Sequence, residues 1–165
     1  MALESMMRRL FAGAVLAAVA VAVPGCVPAS AQEIGGYCAK VGNDDRLQAL
    51  PPNLIGSARR VFEIAAEMPD AFIMAGTSVR CMGGTVWLCN RGANLVCEKA
   101  DVSRKSAGAE RYCKQDPNAM GVPMSATGHA TIYDWKCVGG KAVIAGQIAE
   151  VDARGFIADN WKPLK

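Results

Sequence analysis

Cysteine is the residue type whose number and spacing in this chain most directly predict chemistry. Of the seven cysteines, six follow a hydrophobic N-terminal leader: Cys38, Cys81, Cys89, Cys97, Cys113 and Cys137. An even set of thiols behind a leader predicts disulfide bonds formed outside the cytoplasm. The short separation of Cys89 and Cys97 indicates a local bridge, and the other pairings stay open.

Metal binding and redox catalysis suit this spacing poorly. Structural zinc sites use cysteines separated by two to four residues, and redox motifs use two cysteines separated by two. No two cysteines of this sequence are that close. We therefore expect structural disulfides, with no metal ion and no cofactor.

His129 is the only histidine and so the first candidate for a general base. The sequence has no Gly-x-Ser-x-Gly motif that would mark a nucleophile for it. We expect a loop histidine that is hydrogen-bonded to the backbone.

Pairs of carboxylates are a second route to catalysis, because glycoside hydrolysis needs two acids a few ångströms apart in contrasting environments. Asp134, Glu98 and Asp101 are candidates, but no spacing singles out a pair. We expect that none of these residues is catalytic and that the protein is not an enzyme. A small envelope hydrolase that uses Asp and Glu carboxylates remains the alternative.

An aromatic and two cations form a candidate binding patch. Arg80 faces Trp87 if the intervening turn is tight, and Arg91 is nearby. Exposed together, these side chains would stack on a sugar ring or on a partner's side chain. The alternative is that Trp87 is buried under the first helix of the mature chain.

The elements that position these residues begin after the leader. The apolar residues of 53–68 recur at three- and four-residue steps, which predicts a first helix with one buried face. The preceding 42–52 segment, with its paired aspartates and prolines, is predicted to be a loop. A short helix is predicted over 106–115, a connecting loop over 118–128, and a last strand at 155–158.

Two similar Gly-Gly hairpins carry most of the predicted strands. The segments 80–86 and 136–142 share a basic residue, a cysteine, an apolar residue and two glycines. Gly-Gly suits the positive φ angles of a two-residue turn. The second hairpin is predicted over 131–138 and 141–149, with Tyr133, Trp135 and Cys137 facing the core. This similarity is explained either by duplication or by chance.

Together the elements predict an α+β fold, in which antiparallel β-hairpins pack with one longer and one short helix and are held by disulfides. The chain after the leader, 32–165, is long enough for a single domain with its own core. The formal net charge of +3 comes from interspersed charges, so no nucleic-acid partner is expected.

The leader itself, residues 1–31, has the three parts of a secretory signal peptide. Arg8 and Arg9 precede an apolar run that ends at Pro24, and Ala29-Ser30-Ala31 provides a cleavage site. The run is shorter than the roughly twenty residues of a membrane-spanning helix. We expect export to the periplasm or the cell exterior.

Cys26 offers a different fate for the leader. If Val23-Pro24-Gly25-Cys26 acted as a lipidation signal, acyl chains on Cys26 would tether the protein to a membrane. Membrane contact is expected only in that case.

Five stretches, 43–45, 80–82, 92–101, 127–129 and 154–158, resemble small uncharacterised secreted cysteine-rich proteins of alphaproteobacteria. The resemblance implies a Gram-negative envelope setting and no particular activity. We expect an exported, non-catalytic binding or inhibitory module whose partner is an unknown protein or an envelope glycan.

Overall fold

A computed structural model describes residues 31–92 and 95–164 of the chain. The predicted signal peptide up to residue 30, including Cys26, lies outside the described residues. Within them, no helix is long and apolar enough to cross a membrane.

Helices and antiparallel strands are both present, which confirms the α+β prediction. The described helices are α1 (Ala31–Val41), α2 (Ile55–Val61), α3 (Asp70–Gly76), α4 (Ala107–Gln115) and α5 (Met124–Thr127). The described strands are β1 (Asp44–Ala49), β2 (Thr77–Met82), β3 (Thr85–Asn90), β4 (Tyr133–Val138), β5 (Lys141–Gln147) and β6 (Lys162–Pro163).

The strands form two antiparallel sheets. One has the order β1-β2-β3-β6, and the other consists of β4 and β5. Each sheet contains one of the two Gly-Gly hairpins, and the φ angles of Gly83, Gly84, Gly139 and Gly140 lie between 57° and 79°. These angles are those of a tight turn that favours glycine.

The predicted strand registers are confirmed. Arg80 lies opposite Trp87 in the first hairpin, and Cys137 lies opposite Ala142 in the second. Trp135 and Cys137 are buried in one core cluster with α4, and Tyr133 packs partly buried against it.

Three disulfides hold three clusters of buried residues, and they include the predicted local bridge. Cys38–Cys81 ties α1 to β2, Cys89–Cys97 closes the loop after β3, and Cys113–Cys137 ties α4 to β4. Each bridge lies in a different cluster, so every cluster has a covalent link across it.

The first hairpin is attached to the helix before it by two specific contacts. Cys38 in α1 bonds to Cys81 in β2. Just after α1, the Asn43 side-chain oxygen accepts a hydrogen bond of 3.0 Å from the Gly83 amide in the hairpin turn.

The second hairpin repeats these contacts. Cys113 in α4 bonds to Cys137 in β4, and the Asn118 side-chain oxygen accepts from the Gly139 amide at 3.4 Å. Cys38 and Asn43 have the same separation in sequence as Cys113 and Asn118. The similarity of the two hairpins therefore extends to their helices.

The segments that follow the two helices also correspond. Asp44, at the start of β1, lies opposite Cys81, and the carbonyl of Ala119 accepts from the Cys137 amide at 2.8 Å. We call α1, β1 and the β2–β3 hairpin the first unit, and α4, segment 119–122 and the β4–β5 hairpin the second unit. The chain contains a structural repeat.

The predicted helix over 53–68 is wrong in its extent. A 3-10 turn over Pro52–Leu54 leads into α2, which ends at Val61. Glu63 then takes a positive φ of 53°, and the Ile64 amide bonds back to the Arg59 carbonyl. This reversal of the chain gives a carbonyl at the end of α2 a hydrogen-bond donor. The apolar periodicity continues past this point and so did not predict where the helix ends.

Three further predictions need correction. The predicted loop at 42–52 contains β1, which among the described residues pairs with β2 alone. Its charged side chains do not give the apolar alternation that is typical of a strand. The predicted loop at 118–128 contains the single turn α5. The predicted strand at 155–158 forms isolated bridges, Lys99 with Phe156 and Val151 with Ile157. The predicted helix at 106–115 is confirmed as α4, and Ser106 caps it.

Candidate ligand groove

The Arg80 side chain, a candidate member of an exposed binding patch, is fully buried at 0 % exposure. Its guanidinium carbon lies 4.1 Å from the ring centroid of Phe156 and 4.5 Å from that of Trp161. The C-terminal segment covers this face of β2. Arg80 is therefore not available to a ligand at the surface.

Asp152 is the anion that balances the buried Arg80. It accepts hydrogen bonds from the Arg80 guanidinium and, at 2.8 and 3.1 Å, from the backbone amides of Arg154 and Phe156. Burial raises the pKa of Asp152, but the two amides and Arg80 outweigh it, so the pKa is lowered from 3.8. The pair is a structural anchor for the C-terminal segment.

A second ion network fastens the same segment to β1. Asp45 accepts from Lys99 at 2.8 Å and from Arg154 at 2.9 and 3.0 Å. The hydrogen bond from Arg154 is the main reason why the pKa of Asp45 is lowered despite partial burial. Asp45 is thus held as an anion in a structural network.

Trp87 and Arg91 do not form one surface with Arg80. Trp87 is partly buried, donates from Nε1 to the Met82 carbonyl at 3.2 Å and packs against the cluster that contains Phe156. The buried residues of that cluster are Cys89, Cys97, Phe156 and Trp161, and none of them belongs to α2. Arg91 is exposed, and a binding role for it stays a prediction.

The three candidate carboxylates are exposed. Asp134 accepts from the amide of its neighbour Trp135 at 3.0 Å, and Asp101 accepts from the Ser103 amide at 2.8 Å. Glu98 lies 3.9 Å from Arg91 in an exposed ion pair. The hydrogen bonds of Asp134 and Asp101 are made with residues one or two positions away in the chain, and nothing in these contacts indicates a shared site.

His129 lies in a groove of about 360 Å³. The groove is lined by Leu95, Met124, His129, Thr131, Ile148, Ala149, Ile157 and Asn160. The Nδ1 atom of His129 is buried and has no hydrogen-bond partner among the described residues. The expected backbone hydrogen bond is therefore absent at this nitrogen, and the volume falls in the range of small-ligand pockets.

Four parts of the chain build the groove. α5 supplies Met124, and Gly128, with a φ of 91°, turns the chain towards His129. The end of β5 supplies Ile148, whose amide donates to the Ile132 carbonyl at 2.8 Å. Asn160 is fixed by a 2.8 Å bond from its side-chain nitrogen to the Val96 carbonyl.

Most of the lining residues are aliphatic. His129 Nδ1 is the one buried side-chain polar atom of the lining that has no hydrogen-bond partner among the described residues. Ile148 and Met124 are 52 % and 38 % exposed. Thr131 already accepts from the Tyr133 amide at 3.2 Å, and Asn160 is engaged as described. The lining suits an apolar group.

A smaller groove of about 270 Å³ lies beside α3. Phe72, Met68 and Arg91 contribute to its lining, and Phe72 is 66 % exposed. Its volume lies below the range of about 300–1,000 Å³ that is typical of small-ligand pockets, so we place the candidate site at His129.

Within residues 31–92 and 95–164, no group of three or more His, Cys, Asp or Glu side chains is arranged to hold a metal ion.

Comparison with protein-family models, with curated proteins and with solved structures gives no match for this chain. The groove is assigned from its geometry alone.

Sequence reasoning found His129 but missed the rest of the groove. Leu95, Ile148 and Asn160 come from segments far apart in the sequence, and no spacing connects them. Ile148 offered a signal of an apolar binding surface, because it is an apolar residue next to the polar Gln147 near the predicted end of a strand.

Proposed function

We propose that this protein is an exported, disulfide-stabilised binding module that acts without catalysis. The groove at His129 takes an aliphatic side chain of a partner protein. The observation that carries this proposal is the mostly aliphatic lining of the groove, which includes the exposed Ile148.

Export is supported by the leader and by the disulfides. Three bridges between buried cysteines are typical of oxidising compartments, and residues 1–31 have the pattern of a signal peptide. The resemblance to secreted proteins of alphaproteobacteria supports a periplasmic or extracellular location.

A non-catalytic role is supported by the state of the better buried carboxylates. General acids in hydrolases have raised pKa values, whereas the pKa values of Asp45 and Asp152 are lowered by their cationic partners. These two groups stabilise the fold as anions.

A protein partner fits the groove better than a glycan does. Sugar rings stack on aromatic side chains, and the groove lining contains Leu95, Met124, Ile148 and Ile157 but no Phe, Tyr or Trp. Aliphatic side chains inserted into such pockets are common anchors of protein interfaces.

The test is a titration of the oxidised domain with N-acetyl-leucinamide, followed by NMR chemical shifts. We expect shifts at His129 and its groove neighbours, and at least about tenfold weaker binding in Ile148→Lys, since a charge would occupy the apolar groove. Val102→Lys is the matched control, because Val102 is 55 % exposed and is not a lining residue.

Two results would overturn the assignment: no shifts at the groove, or equal binding by both lysine variants. Affinity capture from envelope extract with the same three proteins extends the test, and the partner should be lost only with Ile148→Lys.

The hydrolase and lipoprotein alternatives have their own tests. Turnover of peptidoglycan, peptides or esters that disappears in His129→Gln, or when a pair of carboxylates is replaced by amides, would replace the binding role with catalysis. Intact mass of the processed protein distinguishes a chain that starts at Gln32 from an acylated chain that starts at Cys26.

A further inference from the structure

β5 has a backbone edge with which no described residue pairs. On the opposite strand, Cys137 and Trp135 bond outwards to segment 119–122. Residues opposite each other in an antiparallel pair point their backbone groups the same way, both inwards or both outwards. Ala142 and Ile144, which face Cys137 and Trp135, therefore point their amides and carbonyls away from β4.

The first unit shows what covers the corresponding edge there. Val86 faces the disulfide cysteine of its hairpin, as Ala142 does in the second unit. The Val86 carbonyl accepts from the Leu164 amide at 2.8 Å, and β6 runs antiparallel beside β3. In the first unit this edge binds an added antiparallel strand, whereas among the described residues the second unit has none.

We propose that a second copy of this chain supplies the missing strand. Two β5 strands pair antiparallel about a two-fold axis at Val143, which joins the two β4–β5 hairpins into one four-stranded sheet. In this register Ala142 of each copy lies opposite Ile144 of the other, so their outward amides and carbonyls bond reciprocally.

The side chains of β5 permit this pairing. Free edges of natural sheets are usually protected by a central lysine or a proline, and Ala142–Gly146 contains neither. The one charge on β5, Lys141, would face Ala145 of the other copy and not a second lysine. Val143 at the axis would meet its own copy, an apolar pair of matching shape.

Val143→Glu tests the proposal at the position that lies on the two-fold axis. Within the hairpin Val143 lies opposite Lys136, so glutamate gains an opposite charge there. Across the two-fold axis two glutamates would meet, and like charges directly opposite weaken pairing. Val138→Glu is the matched control, because Val138 is 55 % exposed on β4, away from the free edge.

Sedimentation equilibrium of the oxidised protein, from micromolar to millimolar concentration, is the measurement. We expect the natural chain and Val138→Glu to dimerise, and Val143→Glu to show a dissociation constant about tenfold larger or more. A natural chain that stays monomeric throughout, or two glutamate variants that dimerise equally, would overturn the proposal.

Hydrogen exchange of the natural chain gives a second measurement that needs no variant. The Ala142 and Ile144 amides should exchange quickly in dilute protein and become protected as concentration rises. Protection that does not depend on concentration would contradict the self-pairing. Because the groove at His129 is not part of this edge, failure here leaves the proposed function untouched.

Discussion

Replacing Gly108 with alanine should destabilise the protein through one backbone contact between α4 and α5. A Cβ atom at Gly108 would lie 1.7 Å from the Ala126 carbonyl oxygen and 2.8 Å from its carbonyl carbon. Carbon–oxygen contacts need about 3.3 Å, so α5 must move by more than an ångström. Because the contacting atoms belong to the backbone, no change of side-chain rotamer can relieve the clash.

The magnitude follows from two opposing effects. Overpacking costs about 1–3 kcal/mol, while alanine gains about 0.5–1 kcal/mol over glycine inside a helix. Gly108 lies in the first turn of α4, where this gain is smallest. We therefore expect a net loss of about 1–2 kcal/mol in the free energy of unfolding.

Gly36→Ala is the matched control. Gly36 lies within α1, and a Cβ atom there would have no neighbour within 4 Å. This variant should gain about 0.5–1 kcal/mol. Urea unfolding of the oxidised proteins, with an unchanged denaturant dependence, measures both values.

The two variants also differ in their expected binding. Met124 belongs to the same short helix as Ala126, so a displaced α5 should weaken N-acetyl-leucinamide binding in Gly108→Ala and not in Gly36→Ala. If Gly108→Ala were as stable as the natural chain, the close approach of α4 and α5 would be refuted.

Three further predictions concern charges and bridges. Asp45 and Asp152 have folded-state pKa values below the ordinary 3.8, so the unfolded chain takes up protons first on acidification. The stabilisation by these two carboxylates should therefore be full at neutral pH and decline below about pH 4. Urea midpoints measured against pH will show this decline, which should be smaller in Asp152→Asn. Arg80→Met should lower the free energy of unfolding by about 3–5 kcal/mol, because the buried carboxylate of Asp152 loses its cation. The exposed control Arg91→Met should lower it by less than about 1 kcal/mol. Equal unfolding free energies of the two variants would contradict the burial of Arg80. Replacing a bonded cysteine pair by alanine should cost more for a longer loop: about 4 kcal/mol for Cys38–Cys81, about 3.5 kcal/mol for Cys113–Cys137 and about 2.6 kcal/mol for Cys89–Cys97. A reversed order of melting temperatures would argue against an effect on the unfolded chain.

Local patterns predicted the hairpins and α4 well because their signals lie within a few residues. Gly-Gly between apolar stretches requires a tight turn, and the turn then dictates which residues face each other, as for Arg80 and Trp87. Ser106 followed by an amphipathic segment similarly marks the start of α4. In both cases the deciding contacts are made by chain neighbours.

The repeat was only partly visible in the sequence. The two hairpins share an obvious pattern, but their helices share little beyond Tyr37-Cys38 and Tyr112-Cys113 and an asparagine that follows each at the same distance. The disulfides and the asparagine hydrogen bonds show that these residues have the same structural role.

The sequence by itself determined the α+β class, the two tight turns, the face of β4 that is buried and the local Cys89–Cys97 bridge, because periodicity and turn chemistry act over short distances. Only the tertiary structure decided that Arg80 is buried, that His129 borders an aliphatic groove and that one edge of β5 pairs with no described residue. These outcomes depend on where the C-terminal segment packs, since Phe156, Trp161 and β6 lie against the first hairpin, whereas no described strand pairs with the outer edge of β5. That packing is a contact between residues far apart in the chain, for which no local pattern exists.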